Sequence, residues 1–128
     1  MTSMNDVSPE MLAFLTERHL ATLTTLRADG SPHVVPVGFS YDPGVGLVRI
    51  ITFAKSVKAR NAARNARAAV SQVDGGRWAT LEGVSRLVDD PQSVALAVAG
   101  YSARYRQPGE RADRVAIEIT VDKVMGRA

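Results

Sequence analysis

"HLATLTTLRADGSPHVVPVGFSYD", residues 19–42, decides the architecture. Two runs rich in β-branched and apolar residues flank Asp29-Gly30, a pair whose backbone freedom suits the tight turn between antiparallel strands. The stretch therefore predicts the first two strands of the fold as a hairpin. In the second strand His33, Val35, Val37, Phe39 and Tyr41 share one face, and Val34, Pro36, Gly38 and Ser40 share the other. That second face is nearly flat. Proline forgoes a ladder hydrogen bond, and glycine lets another backbone or a ligand come close. A planar ring fits such a face; so does an edge strand protected from aggregation.

Upstream, Ser8, Pro9 and Glu10 form an N-cap, a first-turn proline and an acidic residue, with Met11, Leu12 and Leu15 following at helical spacing. Downstream, "VGLVRIITF" predicts a third strand after the Pro43-Gly44 turn. "AAVSQVD" and "WATLEGVSRLVDD" predict a fourth and fifth around Gly75-Gly76. A helix is expected from Pro91 to about Tyr105. Beyond it Val115, Ile117, Ile119 and Val121 alternate at period two, marking a sixth strand. Six strands in mainly hairpin order with helices at the margins predict a mainly β protein, a six-stranded antiparallel barrel with peripheral helices. No repeat, low-complexity segment or linker divides the chain, so residues 1–128 are expected to form a single domain.

Between the third and fourth strands, "ITFAKSVKARNAARN" (51–65) turns from a strand into a helix capped by Ser56. A helical wheel places Ala59, Ala62, Ala63 and Ala66 on a smooth face, Arg60, Arg64 and Arg67 on a second, and Lys58, Asn61 and Asn65 on a third. The third lies nearest the helix start, where free N–H groups and the helix dipole favour an anion. Ser56 and Lys58 would suit a phosphate there. The competing reading is an ordinary cap beside a solvated cationic face.

Composition narrows the classes. Hydrophobic residues at 45% and charged residues at 23% describe a globular chain and argue against disorder. The absence of cysteine excludes a disulfide, a thiolate metal site and a cysteine nucleophile. With only two histidines, His19 and His33, a metal centre is not expected. The polar start "MTSMNDVSPE" lacks a signal-peptide pattern and no apolar run reaches membrane-spanning length, so a cytoplasmic protein without membrane contact is the expectation. The net charge of +3 leaves room for an anionic ligand, and the cations lack the interleaved aromatics of a nucleic-acid surface.

Taken in order, "ATLTTLRADGSPHVVPVGF", "ITF", "SVKARNAARN", "AAVSQVD" and "RWATLEG" resemble the split β-barrel flavin and deazaflavin oxidoreductases, the superfamily of pyridoxamine 5'-phosphate oxidase. Within it the chain is most similar to the small actinobacterial reductases that use the deazaflavin F420, some of which reduce biliverdin. The resemblance runs from about Pro9 to Val124. It implies a homodimer with cofactor sites at the subunit interface. By position, Ser56 and Lys58 would hold the cofactor phosphate, with Thr52 and Lys55 nearby and Asn61 in support. Val35, Pro36, Val37 and Gly38 would lie along the tricyclic ring. Gln72, Arg77 and Trp78 would reach the site from the second subunit, although Trp78 also reads as an ordinary core or interface aromatic.

The resemblance implies hydride transfer from reduced F420 to a planar conjugated acceptor such as a biliverdin-like tetrapyrrole or a quinone. The alternatives are an FMN-dependent oxidoreductase of the same superfamily and a non-catalytic F420 or flavin carrier. The parent oxidases have a basic C-terminal segment that grips substrate phosphate, whereas this sequence ends at "VMGRA", so vitamin B6 oxidation is not expected. F420 carries an oligoglutamate tail that FMN lacks. Lys55, Lys58, Arg60, Arg64 and Arg49 could form a groove for it, or be a basic face exposed to water. No side-chain pair is expected to act as catalytic acid and base, since the cofactor carries the chemistry; the product's proton would come from water or Arg77. Acceptor specificity is expected in the loops Asp42 to Val45 and Gln107 to Arg111.

Overall fold

The computed structural model of the protein describes residues 7–128; the polar stretch at residues 1–6 lies outside the described residues. The elements run α1 (Pro9–Thr16), β1 (Ala21–Leu26), β2 (Pro32–Val37), β3 (Ser40–Asp42), β4 (Leu47–Phe53), α2 (Val57–Ala62), β5 (Arg67–Asp74), β6 (Arg77–Val88), α3 (Pro91–Arg104) and β7 (Arg114–Arg127). Every strand pairing is antiparallel, and one sheet results in the order β2-β1-β5-β6-β7-β4-β3. The fold is mainly β with helices at its margins, as the hairpin order implies.

Seven strands form rather than six, because the second run breaks at Gly38-Phe39. Its first half, β2, pairs with β1 at one edge of the sheet; its second half, β3, pairs with β4 at the opposite edge. Three Cα steps from Val37 to Ser40 span at most roughly 10 Å. The two edges must therefore lie side by side, and the sheet rolls up without a ladder joining β2 to β3. The open seam follows from this two-residue link.

Inward residues fill the roll. Phe14 of α1, Leu23 of β1, Phe39, Ile50 of β4, Leu81 of β6 and Ile117 and Ile119 of β7 are all almost completely buried. Beside this core β6 shifts register between Glu82 and Gly83. A side chain at Gly83 would run into the Thr120 carbonyl oxygen, so glycine lets β6 press against β7 at the bulge.

Both longer helices begin as their sequences dictate. Ser8 accepts from the Met11 N–H ahead of Pro9, and Asp90 accepts from the Ser93 N–H ahead of Pro91. Helix α2 is shorter than the wheel assumed. It stops at Ala62, the chain closes through a left-handed residue at Asn65 (φ 58°), and Arg67 already belongs to β5, where it binds Asp122. Ala59 and Ala62 are buried as expected, whereas Ala63 is exposed and Arg67 has left the helix face. No described helix is long and apolar enough to cross a membrane.

Candidate functional site

The seam opens into a cleft of about 320 Å³, at the small end of the size range for ligand sites. One end is uncharged: Pro36, Val37 and Gly38 from the seam strand, Ile51 from β4 and Tyr101 from α3. Gly38 is required by packing, since a Cβ there would lie 2.9 Å from the rings of both Tyr101 and Tyr105. The two tyrosines stack at a tilt, 5.0 Å between centroids. They pack over Gly38, on the side that a side chain there would occupy.

The other end gathers cations around Phe53. The Arg111 guanidinium lies 4.3 Å from the Phe53 ring centroid and the Lys58 ammonium 6.0 Å, while Arg114 stands opposite Phe53 in the β4–β7 register. Thr52 and Pro108 complete this end. Arg111 pairs with Asp113. Among the described residues no carboxylate forms an ion pair with Lys58 or Arg114. Lys58 is half-buried, and that burial pulls its pKa below the ordinary lysine value. A partly desolvated ammonium without a carboxylate is a receptor for an anion.

Of the residues singled out in the sequence, the cleft brings together Pro36, Val37, Gly38, Thr52 and Lys58. Ser56 sits behind this wall, buried, its oxygen accepting from the Ala59 N–H (3.1 Å) and the Thr52 hydroxyl (3.0 Å); it caps α2 and orients Thr52. Asn61 is also buried, donating to Thr25 (3.0 Å) and accepting from Arg64, so it ties α2 to β1. Lys55 is exposed in the turn before α2. Val35 faces the core rather than the cleft. The specificity loop at Pro108 and Arg111 lines the cleft, whereas Asp42 to Val45 does not. Arg49 pairs with Asp42, and Arg64 turns to the Leu26 carbonyl, 2.8 Å away.

Gln72, Arg77 and Trp78 lie outside the cleft within the protomer. Gln72 is buried, with its amide donating to the Phe14 carbonyl (3.2 Å) and its oxygen accepting from Arg104 (2.6 Å). Arg77 stacks on Phe14 and bonds Glu17 through two 2.9 Å contacts, with Asp74 as a third partner. These bonds, with the one from His19, hold the Glu17 carboxyl at about 2. Glu17, His19 and Asp74 also bring ligand-type atoms within 4.8 Å of one another. The Arg77 guanidinium already supplies the positive charge that those carboxylates attract.

Four cleft residues escaped the sequence reading: Phe53, Tyr101, Arg114 and Ile51. Arg104, a support behind the site, escaped it too. Its buried guanidinium donates to the carbonyls of Glu17 (2.7 Å) and Phe39 (2.8 Å) as well as to Gln72. The Tyr105 hydroxyl adds a bond to the His19 carbonyl (2.6 Å) and receives the Phe39 N–H (3.2 Å). Together they fasten α3 to the Gly38-Phe39 link. A polar residue at the buried position of a helix rich in alanine was the available signal.

A rolled antiparallel sheet with a seam cleft, flat at one end and cationic at the other, defines a class of protein. The family model of pyridoxamine 5'-phosphate oxidase matches residues 7–127, and the chain belongs to that family. More particularly, the chain is 51% identical over 122 residues to the F420H(2)-dependent biliverdin reductase of Mycobacterium tuberculosis strain CDC 1551, covering 95% of this chain and 89% of that protein. Among solved structures, an F420 reductase superposes with a TM-score of 0.71 at 27% identity, over 88% of this chain and 94% of its own. A conserved hypothetical protein from Mycobacterium tuberculosis superposes at 0.78 with 24% identity, over 98% and 89%, and speaks to the fold alone.

Proposed function

We propose that this protein is an F420-dependent reductase that passes a hydride to a planar conjugated acceptor of the biliverdin type. The observation that carries the reading is the Lys58 ammonium, half-buried and without a carboxylate partner among the described residues, in a cleft that the flat Pro36 to Gly38 face also lines. An elongated molecule with a planar ring at one end and an anion at the other fits that arrangement. The 51% identity to a biliverdin reductase favours F420 as that molecule and a tetrapyrrole as acceptor.

When bound, reduced F420 supplies the hydride. The chain's own residues position. Pro36, Val37 and Gly38 offer the ring a backbone surface, which Tyr101 and Tyr105 border where they pack over Gly38. Lys58, with Thr52 beside it, holds the phosphate, while Ser56 fixes the corner behind them. Correct placement of donor and acceptor is the main contribution that a protein can make to hydride transfer. Arg77 is a poor source for the product's proton, because Glu17 and Asp74 hold its pKa above the ordinary arginine value; water takes that role.

The chain also presents a face suited to a second copy. Val73 and Trp78 lie in one cross-strand row, Pro36, Thr22, Ser71 and Thr80 in the next, and Val34, Thr24 and Ala69 in a third that ends at Glu82, while Leu20 borders the same surface as Val73, Ser71 and Pro36. Leu20, Val34, Val73 and Trp78 are all exposed. A patch of this kind on a sheet marks an interface, and Pro36 joins it to the cleft. We therefore read a single-domain cytoplasmic homodimer with the cleft near its interface and Trp78 available to the partner's site.

The test is a titration of the purified protein with oxidised F420 and with FMN, its mass followed by light scattering. A dimer that binds F420 and is not displaced by equimolar FMN is expected. A monomer at micromolar concentration would contradict the assembly, and preferential FMN binding would move the chain to the flavin branch of its family.

A further inference from the structure

We infer that Tyr105 is a positioning residue for hydride transfer, its hydroxyl fixing the seam link at Gly38-Phe39 against which the cofactor ring rests. The inference rests on the F420 reading and deepens it. Strand β2 ends at Val37 and β3 begins at Ser40, at opposite edges of the sheet, so Gly38 and Phe39 belong to no ladder. Buried backbone groups outside a ladder need other partners. For Phe39 they come from the end of α3. Its N–H donates to the Tyr105 hydroxyl (3.2 Å), and its carbonyl accepts from Arg104 (2.8 Å). The same hydroxyl donates to the carbonyl of His19 (2.6 Å), just ahead of β1. One phenol oxygen thereby joins the chain that leads into β1 to the chain that leads into β3, across the seam where no ladder runs.

The phenol is held in place by its surroundings. Helix α3 ends at Arg104, and the Tyr105 N–H still bonds to the Tyr101 carbonyl (2.8 Å), so the side chain leaves the helix from a fixed point. Its ring stacks on Tyr101 and lies against Gly38, where a Cβ would come within 3.1 Å of the carbon that bears the hydroxyl. Burial pushes the phenol above the usual tyrosine pKa, so the hydroxyl keeps its proton for the His19 carbonyl. Without that hydroxyl the ring still fills its place and Arg104 still binds the Phe39 carbonyl, so the fold is expected to persist. The Phe39 N–H, however, loses its partner, and the Gly38 backbone gains play along the cleft wall. A shift there displaces the ring relative to the acceptor, to which hydride transfer is sensitive, and leaves the anion on Lys58 where it was.

The experiment compares wild type with Tyr105→Phe in anaerobic turnover of reduced F420 with biliverdin, with Ser102→Ala on the same helix as control. Tyr105→Phe is expected to lower kcat about tenfold, as a slight misalignment of the reacting atoms allows, while the Kd for F420 keeps its wild-type value. F420 deuterated at the carbon that gives up the hydride should show a larger isotope effect on kcat in this variant than in wild type, because the transfer itself becomes the slower step. Ser102→Ala, which loses only a bond to Gln107 (2.9 Å), should match wild type in all three measurements. A Tyr105→Phe protein with wild-type kcat and isotope effect overturns the inference while leaving the F420 reading intact. So does a weakened Kd with unchanged kcat, which would place Tyr105 in binding. Loss of the fold by circular dichroism overturns it as well, since the hydroxyl would then be structural. Failure of wild type to bind F420 or to oxidise its reduced form overturns the F420 reading itself, and this inference with it.

Discussion

Arg104→Ala is expected to lower the stability of the protein by about 3–4 kcal/mol, the largest effect of any single substitution considered. The guanidinium satisfies the Glu17 and Phe39 carbonyls and the Gln72 amide oxygen from a buried position, stacked 4.6 Å from the Phe39 ring centroid. Each charge-assisted bond contributes about 1.5–3 kcal/mol net, and the truncated site recovers part of the total by admitting water. Urea unfolding measures the loss directly. Arg104→Lys should restore a minority of it, since one ammonium cannot reach three acceptors in fixed directions. A loss below about 1 kcal/mol would mean that water replaces the guanidinium fully and that the clamp is not structural. The clamp also bears on function, because Phe39 follows the glycine that lines the cleft.

Lys58→Ala should weaken F420 binding by about 1–3 kcal/mol, roughly 5- to 150-fold, while leaving urea stability nearly unchanged. The pH dependence gives this prediction a second readout. Only the protonated ammonium attracts the phosphate. Burial sets the Lys58 pKa below its ordinary value, so affinity should hold at low pH and fall as pH rises through that lowered pKa. Arginine at position 58 stays charged and should abolish the alkaline decline. Isothermal titration across the alkaline range checks both. Unchanged affinity in Lys58→Ala would return this residue to a solvated helix end.

Much of this architecture is written locally. Asp29-Gly30 states its hairpin, Ser8-Pro9 and Asp90-Pro91 state their helix starts, and the alternation from Val115 to Val121 states the last strand. The break at Gly38-Phe39 is not, because alternation continues straight through it; which edge of the sheet each half joins depends on partners far along the chain. The length of α2 was misjudged for a related reason. Alanine and arginine are strong helix formers, yet tertiary pairing takes Arg67 into β5, and the Ala66 carbonyl accepts from the Ser85 N–H. At the site, the uncharged end was legible from Pro36 and Gly38, and Lys58 from its place after a strand. Arg111 was legible only as part of a loop expected to set acceptor specificity, and Arg114 was not legible. Arg114 lies more than fifty positions from Lys58 and faces Phe53 only through the β4–β7 register, whereas neighbouring Arg64 turns to the Leu26 carbonyl.

The central claim, hydride transfer dependent on F420, is tested most directly by anaerobic turnover of the purified protein with biliverdin. Absorbance follows reduced F420 or reduced FMN as donor. The account predicts stoichiometric oxidation of reduced F420 with loss of the biliverdin absorption, abolished or strongly slowed in Lys58→Ala at subsaturating donor. Reduced FMN should support no comparable rate. Turnover with reduced FMN and none with reduced F420 would contradict it.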